Sequence, residues 1–238
     1  PVEIISSDGK GQGIVVVNAK RASTIKNILF KNLKPISKYG INPTGSITFY
    51  NSDVEISNAS FESLMSEDSL NIINSKFIIN DSEFNNSLSD AIDIDFSNGS
   101  MNNLKLTNIG NDGLDFSGSG VSLKNIVINN SGDKGISIGE KSSINIENIK
   151  IIKSLVGIAV KDDSLLKGEN ILINNTYVGI ANYNKKDWFK GAKTLLKEVI
   201  ITNTNNKYLN EIGSIMNINN FKVDANQTNV LNKLYNKF

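Results

Sequence analysis

Apolar and polar residues alternate along this chain in short runs, and the runs recur at a fixed interval. The tetrads Ala91-Ile92-Asp93-Ile94, Gly113-Leu114-Asp115-Phe116, Gly135-Ile136-Ser137-Ile138, Gly157-Ile158-Ala159-Val160 and Gly179-Ile180-Ala181-Asn182 begin at residues 91, 113, 135, 157 and 179, a constant step of 22. Alternation of period two predicts a short β-strand, with one side chain turned inward and the next outward. A second landmark, an Asn ahead of a short alternating strand, falls at Asn58, Asn80, Asn103, Asn125, Asn148 and Asn170. Asn27 holds the same place one longer loop earlier, and Glu198 and Asn220 hold it further on. These landmarks predict about nine coils of one unit. Two or three strands with tight turns take about 22 residues, one coil of a parallel β-helix. Leucine-rich repeats share the length but need a Leu-rich consensus with a helical half, and propeller blades are longer.

Stacking by 22 makes the inward columns aliphatic: Leu70, Ile92, Leu114, Ile136, Ile158, Ile180, and beside them Ile72, Ile94, Phe116, Ile138, Val160. The Asn column is expected to stack its amides in a ladder at a turn. The expected architecture is an all-β, single-domain parallel β-helix over residues 1–225, interrupted by an insertion at about 183–197. The tail, 226–238, carries Val230, Leu231, Leu234, Tyr235 and Phe238 at helical spacing, which predicts a short amphipathic helix capping the last coil. No such cap is visible ahead of Val2, and the chain opens at Pro1 without Met, so it reads as a mature product or as a segment of a longer polypeptide. Gly9-Lys10-Gly11-Gln12-Gly13 reads as a turn between strands, because no Lys-Ser/Thr and no helical pattern follows it.

Composition removes several chemistries. The sequence has no Cys and no His, which excludes thiol nucleophiles, Ser-His-Asp triads and His metal sites. Lys+Arg number 25 against 24 Asp+Glu, so no basic excess points to nucleic acid or an anionic membrane. Arg21 is the only arginine, which leaves few bidentate phosphate clamps. No apolar run has the length of a membrane span.

The remaining chemistry lies in the outward columns. One reads Asp68, Asp90, Asp112, Lys134, Val156, Val178, and the next reads Asn71, Asp93, Asp115, Ser137, Ala159, Ala181. Glu67, Asp95, Asn111, Asp133, Glu140, Lys161 and Asp162 lie around them. Stacked Asp residues place like charges roughly 5 Å apart, which is unfavourable unless a cation, a Lys or a proton intervenes. Asp90, Asp93, Asp112 and Asp115 are the candidate ligands of a hard cation, for which Ca²⁺ suits the geometry. Lys134 and Lys161 are candidate bases, or cations for an acidic sugar. Asp68, Asn71, Asn111, Asp133, Glu140 and Trp188 are candidate substrate contacts. Against this stands a plain structural role: Asp and Asn at solenoid turns also bond their own backbone, and Trp188 also suits packing of the insertion.

The series Asp90-Ala91-Ile92-Asp93-Ile94-Asp95, Asn111-Asp112-Gly113-Leu114-Asp115, Gly132-Asp133-Lys134-Gly135-Ile136-Ser137-Ile138-Gly139-Glu140 and Gly157-Ile158-Ala159-Val160-Lys161-Asp162 resembles the right-handed β-helix region of bacterial spore-coat-kinase-like (CotH-type) proteins. More broadly it is similar to the pectate-lyase-like superfamily. The resemblance covers roughly residues 46–186 and implies a right-handed helix, a secreted or bacterial cell-surface setting, and a polysaccharide or cell-surface component as partner. Enzymes of that superfamily typically pair Asp-bound Ca²⁺ with a Lys or Arg base. Its polygalacturonase-type hydrolases and uronan epimerases rely on a His that this sequence lacks. Three readings follow: a polysaccharide-binding module with an acidic, Ca²⁺-binding face; a Ca²⁺-assisted polysaccharide lyase; and a structural or adhesive spacer.

Overall fold

The computed structural model describes residues 2–38, 40 and 42–235. In chain order the strands are β1 (Val2–Ile5), β2 (Ile14–Val17), β3 (Ser23–Lys31), β4 (Gly45–Tyr50), β5 (Val54–Glu62) and β6 (Asp68–Ile73). They continue with β7 (Lys76–Asn85), β8 (Asp90–Asp95), β9 (Asn98–Ile109), β10 (Leu114–Ser117), β11 (Gly120–Ser131) and β12 (Lys134–Gly139). The last are β13 (Ser143–Lys161), β14 (Leu165–Tyr183), β15 (Lys193–Asn210), β16 (Ile215–Ile218) and β17 (Phe221–Val223), followed by helix α1 (Val230–Tyr235). Every strand pairs in parallel with the strand one coil away, except the antiparallel hairpin β16–β17. The chain is a parallel β-solenoid, and no helix among the described residues is long and apolar enough to cross a membrane.

The tetrads form one face of the solenoid. Along it β4, β6, β8, β10 and β12 stack, followed by the ends of β13, β14 and β15. The register follows the 22-residue step: Leu70 pairs with Ile92, Ile92 with Leu114, Leu114 with Ile136, Ile136 with Ile158, and Ile158 with Ile180. All six are fully buried, as are Ile72, Ile94, Phe116, Ile138 and Val160 beside them. Each such side chain contributes about 1.5–3 kcal/mol on leaving water. On the neighbouring wall Phe30, Phe61 and Phe84 stack at centroid spacings of 5.3 and 4.3 Å before the column turns aliphatic at Leu106.

Amides and hydroxyls hold the corners. Asn58, Asn103, Asn125, Asn148 and Asn170 adopt left-handed backbone conformations, which Asn tolerates better than most residues. Their amides form rungs, with Asn148 Nδ2 donating to Asn125 Oδ1 at 2.9 Å and Asn170 Nδ2 to Asn148 Oδ1 at 2.6 Å. One landmark shifts: the left-handed residue of its coil is Asp81, not Asn80, and its carboxylate accepts from Asn103. Two adjacent residues could both take that conformation, and the strand pairing selects the second. A buried Ser column at another corner was not anticipated. Ser75, Ser97, Ser119, Ser142 and Ser164 each accept the backbone N–H of the Ser one coil earlier.

Two expectations at the C-terminal end change. The insertion is shorter than 183–197: β14 runs through Tyr183, which is 1% exposed, and strand structure resumes at Lys193, leaving residues 184–192 as the loop. The C-terminal helix forms, and Gln227 just ahead of it pairs with Glu211 at the end of the last face strand, but its buried residues lie to the side. Val230 and Leu234 are buried on the outer surface of the tetrad face, against Val156, Ala159, Val178, Ala181 and Tyr183. Phe238 lies outside the described residues. The apolar turn of the outward columns is thereby explained: where Asp gives way to Val and Ala, α1 lies on top.

Candidate functional site: an acidic trough on the outer face

The outward columns meet as the register requires. Asp68 stacks on Asp90, Asn71 on Asp93, Asp93 on Asp115, and Asp115 on Ser137, while Asp95 pairs with Ser117 in a third column. This places Asp68, Asp90, Asp93, Asp95, Asp112 and Asp115 on one stretch of surface. Lys134 and Lys161 lie at its far edge, and the α1 patch follows. One oxygen each from Asp90, Asp112 and Asp115 lies within 4.8 Å of the other two.

Several of these groups are buried. Asp68 is 2% exposed, Lys134 7% and Lys161 6%, and Asp112, Asn71 and Ser137 are also shut from solvent. Ionised groups in such places cost several kcal/mol each unless paired. The pairing is incomplete. Asp90 Oδ1 accepts Asn111 Nδ2 at 2.7 Å and the Asp112 amide at 2.9 Å. Asp112 Oδ1 accepts the Lys134 amide at 2.9 Å, and Asp115 Oδ1 the Phe116 amide at 2.9 Å. The backbone-bonding role expected of solenoid Asp residues thus takes one oxygen of each. Asn71 Nδ2 donates to Asp93 Oδ2 at 3.1 Å. Asp68 Oδ2 and Asn71 Oδ1 are buried with no hydrogen-bond partner among the described residues.

The two lysines differ. Lys134 Nζ reaches both oxygens of Asp112 at 3.4 Å and forms a close ion pair with Asp133. Tyr235 of α1 donates its hydroxyl to Asp133 Oδ2 at 2.9 Å, and its ring lies 5.5 Å from the ammonium. Burial alone pulls the Lys134 pKa down, but Asp112 and Asp133 override it and hold the pKa well above the ordinary lysine value. Lys134 is therefore a fixed cation and a poor base. Lys161 Nζ donates to Ser137 Oγ at 2.7 Å. Burial lowers its pKa against the pull of Asp115, which moves it toward the basic role.

On the acidic side burial raises every shifted carboxyl. Asp68 is pushed up to about 7, with Thr44 opposing and Asp90 and Glu67 adding. Asp112 also reaches about 7, moderated by Lys134. Asp90 is raised by burial against the bonds from Asp112 and Asn111. Asp93 rises well above the carboxylate range, through burial and then the charges of Asp95, Asp68 and Asp115. Lys134, ion-paired within this cluster, is shared between Asp112 and Asp133, so a bound cation would compete with protons for the remaining carboxylates. Its donors are all oxygen, the chemistry of a hard cation such as Ca²⁺.

The other predicted residues are dispersed. Asn111 serves Asp90. Glu140 lies in the turn after β12 and pairs with Lys186. Trp188 is 76% exposed on the 184–192 loop, at the opposite end of the face strands from Lys134. Tyr235 was missed as a site residue, since helical spacing does not say which coil a tail residue reaches. A groove of about 990 Å³ lies on another wall among Lys124, Glu147, Lys167, Glu169 and Lys197 and holds none of these residues. Its charges are exposed and of mixed sign, so we place the candidate site at the buried, uncompensated cluster.

No family model matches the chain, and no curated protein matches it. Among solved structures, the catalytic domain of a GH87 alpha-1,3-glucanase in complex with nigerose aligns at 14% identity and a TM-score of 0.48. A variant of that domain in complex with tetrasaccharides aligns at 13% and 0.47. Each alignment covers 91% of this chain and 57% of the glucanase chain, so this chain spans little more than half of that length. PfbA, a surface adhesin of Streptococcus pneumoniae, aligns at 12% identity and a TM-score of 0.19, over 94% of this chain and 76% of the adhesin. No residue role is carried over from any of them.

Proposed function

We propose that the outer face binds a polysaccharide, with a divalent cation such as Ca²⁺ seated among Asp90, Asp112 and Asp115. The observation that carries this reading is the oxygen triad within 4.8 Å, next to a lysine already shared between Asp112 and Asp133. The Asp columns run along the stack, which suits an extended polymer rather than a small enclosed ligand. Asp93, Asp95 and Asp115, which keep part of their surface exposed, offer partners for hydroxyls, and a uronate would complete the coordination of the cation. Lys134 and Lys161 stand at the edge where an acidic sugar needs a counter-charge. A secreted or bacterial cell-surface setting belongs to the same reading.

Affinity electrophoresis tests it. The protein should be retarded by polygalacturonate or alginate in gels containing Ca²⁺, and released by EDTA or by Asp115→Asn. Equal mobility in all gels would overturn the reading.

One observation supports a second reading, a polysaccharide lyase. Lys161 is buried, has a lowered pKa and lies beside Ser137 and the carboxylates, so it is the better base of the two lysines. In that case polygalacturonate or alginate incubated with the protein gains the ultraviolet absorbance of an unsaturated product, and Lys161→Met abolishes the gain. Silence from the wild-type protein rejects the lyase and leaves binding intact.

A further inference from the structure

Trp188 is the one tryptophan of the chain, and it is displayed rather than packed. Its indole meets the Phe189 ring at 6.1 Å and is otherwise largely in water. The loop beneath it is fastened. Asp162 Oδ1 accepts the amides of Lys185 and Lys186 at 2.8 and 3.0 Å. Asn184 Nδ2 donates to the Phe189 carbonyl at 3.0 Å, the Asp163 amide to the Lys190 carbonyl at 2.9 Å, and Lys186 pairs with Glu140. So many local bonds hold an indole in solvent, although burying it would stabilise the fold.

The fastening points locate the loop. Glu140 directly follows β12 and Asp162 directly follows β13, and the outward residues of those strands include Ser137 and Lys161. The loop leaves from the end of β14, three coils beyond β10 and its Asp115 at about 4.8 Å per coil. The Trp188 loop is therefore fastened at the ends of β12 and β13, on the two coils that follow the one carrying Asp115.

We propose that Trp188 is a sugar-stacking platform, a rim subsite for a polysaccharide whose neighbouring units lie in the trough. This rests on the polysaccharide reading above. An indole offers a flat apolar face to the C–H face of a pyranose, and Lys185, Lys186 and Lys190 around it can donate to hydroxyls or pair with a uronate. A single aromatic of about 150–250 Å² is far below the area of a stable protein interface. Exposed Trp beside Lys also suits a lipid headgroup layer. Here that geometry would bring the carboxylates of the trough toward an anionic surface, which disfavours it.

With one tryptophan, emission reads the subsite directly. The probes are polygalacturonate, alginate, xylan and laminarin, each assayed by affinity electrophoresis and by Trp fluorescence, together with phosphatidylglycerol vesicles. A polysaccharide that retards the protein should shift emission to the blue and shield it from acrylamide. Trp188→Ala should weaken retardation by about tenfold without changing the melting temperature, and Trp188→Phe should keep part of the affinity. A polysaccharide that retards wild type and Trp188→Ala equally, with unchanged emission, overturns the platform and leaves trough binding standing. No retardation by any of the four overturns both. A blue shift with vesicles alone overturns the sugar assignment in favour of a membrane contact.

Discussion

Asp68, Asp93 and Asp112 sit where an unfolded chain would not hold them, and their shifts have a sign that can be checked. Asp68 and Asp112 titrate near 7 in the fold, against about 3.9 for a free Asp. Between about pH 4 and pH 7 the folded chain keeps protons that the unfolded chain releases, so stability falls as pH rises through that window. Lys134, whose pKa is raised, stays charged in both states there and adds no slope. In EDTA, thermal melts should give a higher Tm at about pH 5 than at about pH 7.5, and Asp68→Asn should flatten the difference. A Tm that rises over this range would contradict the assignment. The acidic columns are legible in the amino-acid sequence, because the step of 22 stacks them. Their burial is not, since it depends on the depth of the trough and on α1 alongside. The difference between Lys134 and Lys161 is equally hidden there: it depends on Asp133 and Ser137 reaching the two ammonium groups, which spacing does not reveal.

At the scale of elements, two devices shape the face. Gly113, Gly135, Gly157 and Gly179 fill a column at the start of the face strands. A Cβ on Gly135 would meet Ile151 Cγ2 at 2.6 Å and the Gly157 carbonyl at 2.7 Å. Ser46, Ser69 and Ala91 precede them in that column, and the coil of Ala91 carries Leu106, which stands in register with Ile128. Leu has no β-branch methyl, so the pairing of Gly with Ile and Ala with Leu has a steric basis. We expect Gly135→Ala to cost about 1–3 kcal/mol in urea unfolding, and Ile151→Leu added to it to restore part of the loss. Equal loss in single and double variants would place the strain on the Gly157 carbonyl instead. The second device is α1. The apolar tail is legible as a helix; the apolar bed that Val156, Ala159, Val178 and Ala181 offer it on the side is not. Leu234→Ala should cost about 2–5 kcal/mol and release Tyr235 from Asp133, read as faster amide exchange around Tyr183 and Lys134.

The whole molecule divides along its axis. Coils near the N-terminal end carry aromatic packing, the middle coils carry the acidic trough, and the later coils carry the helix and the Trp188 loop. A stack of equivalent coils permits this, since each coil contacts only its neighbours and the outward columns can vary while the inward ones stay aliphatic. The inward columns are needed for any role. The outward ones bring buried Asp68, Asp90 and Asp112 together with Lys134 and Lys161. An ion that binds only the folded chain must stabilise it, by about 2.7 kcal/mol at a hundred times its Kd. Ca²⁺ should therefore raise the Tm relative to EDTA, more at about pH 7.5 than at about pH 5, and Asp115→Asn should remove the rise.

The most direct test of the central claim is isothermal titration of polygalacturonate into the protein at neutral pH, in Ca²⁺ and in EDTA, with wild type and Asp115→Asn. Saturable binding by the wild-type protein in Ca²⁺, lost in EDTA and lost in the variant, is the predicted result. Identical heats in all four titrations would contradict an acidic trough built to hold a cation and a polysaccharide together.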